Sequence, residues 1–161
     1  MHVFDIATNT WFTQRTTAQE KYPSGRISMC SVVASAQDSS SHNIYIYGGY
    51  NDDILETVTN EILILTLPAF HWILVFPSYY DDDTHDTLRV YGHKCQKVYE
   101  KHIVAYRGRN FNNYCDNDER LGRFQGMMIY DMSYLGWTTK VELENPKYSV
   151  PQVLYEIIGG E

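Results

Sequence analysis

Short runs of β-branched and aromatic residues recur along the chain, each bounded by polar or glycine-containing segments. They are His2 to Ile6, Ile27 to Val33, Asn43 to Tyr47, Ile62 to Leu67, Trp72 to Phe76, His102 to Tyr106, Met127 to Asp131 and Trp137 to Val141. Runs of this length and composition read as β-strands. No window sustains an apolar period near 3.6 behind a capping residue, so no helix is predicted. The pattern predicts an all-β chain.

The strands fall into repeats. Three tryptophans each close a similar phrase: Phe4-Asp5-Ile6-Ala7-Thr8-Asn9-Thr10-Trp11, Leu65-Thr66-Leu67-Pro68-Ala69-Phe70-His71-Trp72 and Tyr130-Asp131-Met132-Ser133-Tyr134-Leu135-Gly136-Trp137. Between them recurs a strand ending in glycine, Ile44-Tyr45-Ile46-Tyr47-Gly48-Gly49 and then Ile103-Val104-Ala105-Tyr106-Arg107-Gly108. A further strand precedes each, opened by Gly25-Arg26 in one repeat and Gly92-His93 in the next. The repeating unit therefore has four strands.

A unit ordered strand, strand-Gly-Gly, strand-Asp, Trp-strand resembles the kelch motif of β-propellers, whose length is about 50 residues. The resemblance spans nearly the whole chain and implies an incomplete propeller of four-stranded antiparallel blades. Residues 1–18 would be the last two strands of one blade, 26–76 and 92–141 complete blades, and 147–161 a departing extension or a closing strand. Gly48, Gly49 and Gly108 would permit a bend that bulkier residues resist. Asp131 belongs to the same motif, and Trp11, Trp72 and Trp137 would each fill the space between neighbouring blades. Two departures stand out: Arg107 replaces a glycine, and Thr66 stands where the other repeats carry Asp5 and Asp131. A closed propeller needs at least about four blades, so the chain reads as a piece of a longer product or a truncated gene model.

Composition narrows the function. The chain has 161 residues, 13 Lys and Arg against 20 Asp and Glu, and a formal charge of −7. With no clustered basic surface to neutralise phosphates, nucleic-acid binding is excluded. No apolar run approaches the roughly 18 to 20 residues of a membrane-spanning helix, and no signal peptide is visible. Three cysteines are too few for a disulfide scaffold and lack metal-site spacing.

A closer resemblance rests on the third repeat. Gly92-His93-Lys94-Cys95, Cys115-Asp116, Ile129-Tyr130-Asp131-Met132-Ser133, Trp137, Val150-Pro151 and Ile158-Gly159-Gly160 together resemble the last blade of a group of fungal kelch-repeat proteins. In that group the propeller lies outside the cell, ahead of a single membrane-spanning helix. The resemblance implies a non-catalytic ectodomain or cell-wall-facing domain, touching a membrane only through an anchor that this sequence lacks. It also implies a disulfide between Cys95 and Cys115. Such a bridge would close a loop of about 20 residues, worth roughly 3 kcal/mol by loop entropy. The alternative is two free buried thiols. Cys30, on the first strand of the preceding blade, reads as a packed thiol.

Recognition is expected on the face that carries the long loops, Tyr50 to Asn60, Pro77 to Tyr91 and Arg109 to Gln125. The first carries Tyr50, Asp52, Asp53 and Glu56. The second carries Tyr79, Tyr80, Asp81, Asp82, Asp83, His85 and Asp86, and the third Tyr114, Asp116, Asp118 and Glu119. These loops hold half of the chain's 20 carboxylates. Tyrosine offers broad area with a polar end, and the carboxylates favour a protein partner with a basic surface. The alternative is that loops of an acidic chain are acidic anyway.

No catalytic residue, metal site or cofactor is assigned. The run Asp81 to Asp86 lacks the alternating spacing and glycine of a calcium loop, and His71, His93 and His102 read as surface or blade-packing residues. No nucleophile elbow or phosphate-cradling loop is present. Galactose oxidase, whose central propeller is built of kelch blades, offers an enzyme by analogy, but its copper ligands cannot be matched onto this sequence. The remaining alternative is an intracellular kelch adaptor, such as an actin or polarity scaffold. The lack of any Asn-X-Ser/Thr sequon lends it weight.

Overall fold

A computed structural model of the chain describes residues 1–20, 22–51, 61–76, 90–110 and 127–158. Strands β1 (His2–Asp5) and β2 (Thr10–Thr13) form a two-stranded hairpin. Next come β3 (Thr17–Ala18), β4 (Cys30–Ser35), β5 (His42–Tyr47), β6 (Ile62–Leu67) and β7 (His71–Val75), which make one sheet in the order β3-β7-β6-β5-β4. β8 (Val90–Tyr91), β9 (Lys94–Val98), β10 (His102–Tyr106), β11 (Arg109–Asn110), β12 (Met127–Asp131) and β13 (Gly136–Thr138) follow. Of these, β13-β12-β10-β9 form a four-stranded antiparallel sheet, and β8 pairs with β11 as a short ribbon. The fold is an all-β, incomplete kelch-type propeller of four-stranded antiparallel blades, the first of which carries β3 as an added parallel edge strand.

The core lies between the two sheets. Val32, Ala34, Tyr45, Tyr47, Ile62 and Ile64 of one blade meet Ile103, Ala105, Met128 and Tyr130 of the other. Of the three tryptophans, Trp137 fills this gap: its indole packs edge-on against Tyr47 at 4.8 Å and Tyr130 at 5.2 Å, one ring from each blade. Trp72 is half-buried. Trp11 is 70% exposed, and its ring contact among the described residues is with Phe4, in its own hairpin, at 5.0 Å. A hairpin alone cannot bury a face.

The turns that lead into the tryptophans share one geometry. Asn9, Phe70 and Leu135, each two residues before its tryptophan, adopt left-handed φ values of 54°, 53° and 55°. Asp5 and Asp131 accept the backbone N–H two residues on, from Ala7 and Ser133, each at 2.8 Å. The Thr66 departure follows from the same geometry. Two residues beyond it stands Pro68, which has no N–H to offer, so an acceptor there would lose the nearer of the two turn donors that Asp131 has. Thr66 instead donates its hydroxyl to the His71 carbonyl at 3.3 Å.

The glycine bends are equally regular. Gly48 and Gly49 have φ of 65° and 87°, and in the second blade Arg107 and Gly108 have 59° and 111°. Arg107 thus occupies a left-handed position that disfavours a side chain by about 1 to 2 kcal/mol. Its side chain is exposed. Arg107→Gly is therefore expected to stabilise the fold by about 0.5 to 1 kcal/mol after the entropy that glycine adds to the unfolded chain; a urea midpoint that falls would contradict this.

Two elements differ from the sequence expectation. β3 is a fifth strand on the first sheet, parallel to β7, held by Thr17 N–H to the Phe70 carbonyl (3.0 Å) and Gln19 N–H to the Trp72 carbonyl (3.1 Å). Two residues carry no periodicity, which is why no pattern announced it. The tail is not a closing strand where it is described: Gln152–Ile158 form helix α1, and Leu154 and Tyr148 are buried in the core. Tyr45 donates to the Met132 carbonyl (3.0 Å), so Tyr148 donates to Tyr45 (2.8 Å) and accepts from the Asn43 amide (3.1 Å). This buried relay fastens the tail across both blades. Burial pushes the Tyr148 phenol up to about 12 and the Tyr45 phenol well above its ordinary value.

Candidate functional site

The strand ends from which the three long loops depart, β5 and β6, β7 and β8, β11 and β12, lie on one rim of the two blades. Of the residues expected to form the binding face, Tyr50 is placed here. Asp52, Asp53, Tyr79, Tyr80, Asp81, Asp82, Asp83, Tyr114, Asp116 and Asp118 lie outside the described residues.

Beneath this rim the blades interlock. In each, the first two strands continue past their bend into a further pairing: Ile27 with Tyr50 in one blade, Tyr91 with Arg109 in the other. Ser28 (φ 57°) and Gly92 (φ 65°) occupy matching bends. The structural counterpart of Gly92-His93 is thus Ser28-Met29 rather than Gly25-Arg26. Gly49 N–H donates to the Val90 carbonyl (3.0 Å), and Gly92 N–H donates back to the Ser28 carbonyl (2.8 Å). Above these reciprocal bonds the Tyr50 and Tyr91 rings meet edge-on at 5.0 Å. Tyr91 was missed by sequence reasoning; the signal available was its place directly before the glycine bend.

The cysteines correct the expected pairing. Cys95 is bonded to Cys30, with Cα atoms 5.9 Å apart, and not to Cys115, which lies outside the described residues. Cys30 is accordingly not a packed free thiol. Strand register gives the reason. Cys30 pairs across its hairpin with Tyr47, and the residue in that position of the second blade is Lys94, opposite Tyr106. Cys95 is one residue further on. Successive side chains on a strand point to opposite faces, so this single step turns Cys95 back towards the blade that Cys30 faces out from. The bridge spans 65 residues of chain, a loop worth about 4 kcal/mol by the entropic argument. Lys97 adds a second tie, donating its ammonium to the Val33 carbonyl at 2.9 Å.

His93 sits against the disulfide. Its Nε2 is 3.1 Å from Cys30 Sγ, its ring meets Tyr47 edge-on at 4.9 Å, and it is buried. Burial pushes its imidazole down to about 4. A histidine buried neutral contributes stability that is fully present above its unfolded pKa of about 6.5 and is lost as pH falls towards about 4. The loss across that window is expected to be roughly 3 kcal/mol. Urea midpoints between pH 7.5 and pH 4.5 should therefore fall more steeply for the native chain than for His93→Gln; parallel profiles would refute the assignment.

The opposite rim carries a buried ionic cluster. Lys101 contacts the Asp131 carboxylate at 3.1 Å and also Glu142, and His102 Nε2 lies 3.4 Å from the same Asp131 oxygen. Desolvation would lower the Lys101 ammonium, but its hydrogen bonds to Glu142 and Asp131 outweigh it and hold it above its ordinary value. Desolvation keeps His102 below its ordinary value, with Asp131 opposing. On the outer face of the first blade, Arg26 and Glu61 pair at 3.6 Å beside a small cleft lined by Tyr22, Leu63 and Leu74. Among the described residues no group of three or more His, Cys, Asp or Glu side chains is arranged to hold a metal ion. Nor is any helix among them long and apolar enough to cross a membrane.

Stacked sheets each built on four antiparallel strands, a glycine bend in the second of those strands and an Asp-capped turn into a tryptophan define a kelch-type propeller fragment. The chain is similar to a kelch repeat-containing protein of Arthroderma benhamiae (strain ATCC MYA-4681 / CBS 112371), 30% identical over 188 aligned positions that cover 99% of this chain and 25% of that protein. That likeness supports a kelch-repeat family. The chain spans about a quarter of the length of the curated relative it matches. No family model matches it.

Proposed function

We propose that this chain is part of a non-catalytic propeller that holds a protein partner on its long-loop rim, in a protein displayed at the cell surface or in the cell wall. The observation that carries this reading is the interlocked junction beneath the rim. Reciprocal backbone bonds between Gly49 and Val90 and between Gly92 and Ser28 fix the ends of the loops to a rigid base. Loops on a rigid scaffold are where recognition is usually built. The likeness to a kelch repeat-containing protein supports a protein-interaction role. The acidic composition of the loops favours a partner with a basic surface and disfavours nucleic acid.

The Cys30–Cys95 bond supports the extracellular placement, because disulfides persist in oxidising compartments. Membrane association then rests on a segment of the parent outside this chain. An intracellular adaptor is the second reading, favoured by the absence of sequons. Rapid thiol trapping in the native host separates the two: Cys30 and Cys95 recovered as a bonded pair support the surface reading, and recovery as free thiols supports the adaptor.

The binding rim is tested by placing a photo-crosslinking residue at Tyr50 or at Tyr134, which is 74% exposed on the opposite rim, in the parent protein. Crosslinks to another protein are expected from position 50, weakening as salt rises. Crosslinks from position 134 alone would overturn the proposal.

A further inference from the structure

The disulfide is more than a staple. Both of its cysteines are half-buried, placed at the edge of the core and not sealed inside it. The two sulfurs also differ in surroundings. Cys30 Sγ has the His93 Nε2 at 3.1 Å. That ring is held in place by Tyr47 at 4.9 Å and by two glycines that leave no slack: a Cβ on Gly48 would lie 2.6 Å from His93 Cε1, and one on Gly108 would lie 2.8 Å from His93 Cβ. His93 Nδ1 is buried without a hydrogen-bond partner among the described residues. A neutral imidazole with one nitrogen so placed is best served by carrying its proton on Nε2, where the N–H has a sulfur to donate to.

We infer that the Cys30–Cys95 bridge is a site of thiol–disulfide exchange with low-molecular-weight thiols in the folded protein, Cys95 Sγ being the sulfur attacked and Cys30 Sγ the one released against His93. The thiolate of a first thiol molecule attacks Cys95 Sγ; a bond forms between the two, the Cys30–Cys95 bond breaks, and its electron pair goes to Cys30 Sγ. The Nε2–H donor stabilises that developing thiolate, which then takes up the proton the attacking thiol gave to solvent. A second thiol attacks the mixed disulfide on the sulfur of the first and releases Cys95 as a thiol. Two external thiols are oxidised to their disulfide, and the protein bridge is reduced to two thiols. A leaving sulfur whose negative charge is stabilised departs faster, which sets the direction of attack. Once it has gone, the described ties between the blades at this rim are the backbone bonds and the Tyr47–His93 ring contact, so reduction slackens the base on which Tyr50 and Tyr91 meet.

The test uses the full chain in a Cys115→Ser background, which prevents reshuffling, with limiting reduced glutathione, an acid or alkylation quench, and mapping by mass spectrometry. Glutathione is expected on Cys95 about 10-fold more often than on Cys30, with native circular dichroism retained. His93→Phe is expected to slow the reaction by about 10-fold and erase that preference, and His93→Gln, which keeps an N–H donor, to recover part of both. The mapping on unmutated His93 stands even if a variant fails to fold. Equal capture on the two cysteines, preference for Cys30, or exchange that occurs only in denaturant would overturn the inference.

Discussion

Gly48→Ala is expected to cost about 3 to 4 kcal/mol of stability, whereas Gly92→Ala costs about 1 kcal/mol. The two glycines have the same φ of 65°, so the left-handed conformation penalises a methyl equally at both. What differs is the space. A Cβ on Gly92 meets nothing within 4 Å, while one on Gly48 would run into the Val90 carbonyl and lie 2.6 Å from His93 Cε1. The Val90 carbonyl cannot retreat freely, because it accepts the Gly49 N–H that joins the blades. Overpacking at a fixed contact adds roughly 1 to 3 kcal/mol. Urea unfolding of the two variants checks the difference; equal losses would mean that the junction yields.

Asp131→Ala carries the other large expected effect, about 3 to 4 kcal/mol. One carboxylate oxygen accepts the N–H groups of Ser133 (2.8 Å) and Tyr134 (3.2 Å), and the other faces Lys101 and His102. Removal orphans two backbone donors and leaves the buried Lys101 ammonium with Glu142 as its carboxylate partner among the described residues. Asp131→Asn separates the two roles, since its amide oxygen can still cap the turn; a loss of about 1 to 2 kcal/mol is expected. A loss under 1 kcal/mol for the alanine variant, read from the same denaturation curves, would show that the cluster contributes nothing net.

The parts of the fold legible in the sequence are those set within a few residues. The phrase from Asp131 to Trp137 encodes its turn because the capping acceptor, the left-handed Leu135 and the packed indole all fall within one hairpin. The same holds for the bend at Gly48 and Gly49, which remained recognisable at Arg107 and Gly108 although one glycine is gone. What depended on relations between blades was hidden. Pairing Cys95 with Cys30 requires knowing that the two fall on strand positions of opposite parity, which turns on the lengths of the turns after β4 and β9. Helix α1, seven residues long, is too short to announce itself and is held by docking rather than propensity. Trp11 follows its motif in sequence and in turn geometry, both of which are set within its hairpin. Of the expected recognition face, Tyr50 is the residue the structure describes, and its ring partner Tyr91 had to come from the structure.

The 65-residue span of the Cys30–Cys95 bond encloses β4 through β8 and two of the three acidic loops. A single peptide-bond cleavage anywhere inside that ring leaves one covalent molecule, whereas a cleavage beyond it, as in residues 111–126, divides the chain in two. Nicked material would therefore migrate intact on a non-reducing gel in the first case and separate without reductant in the second.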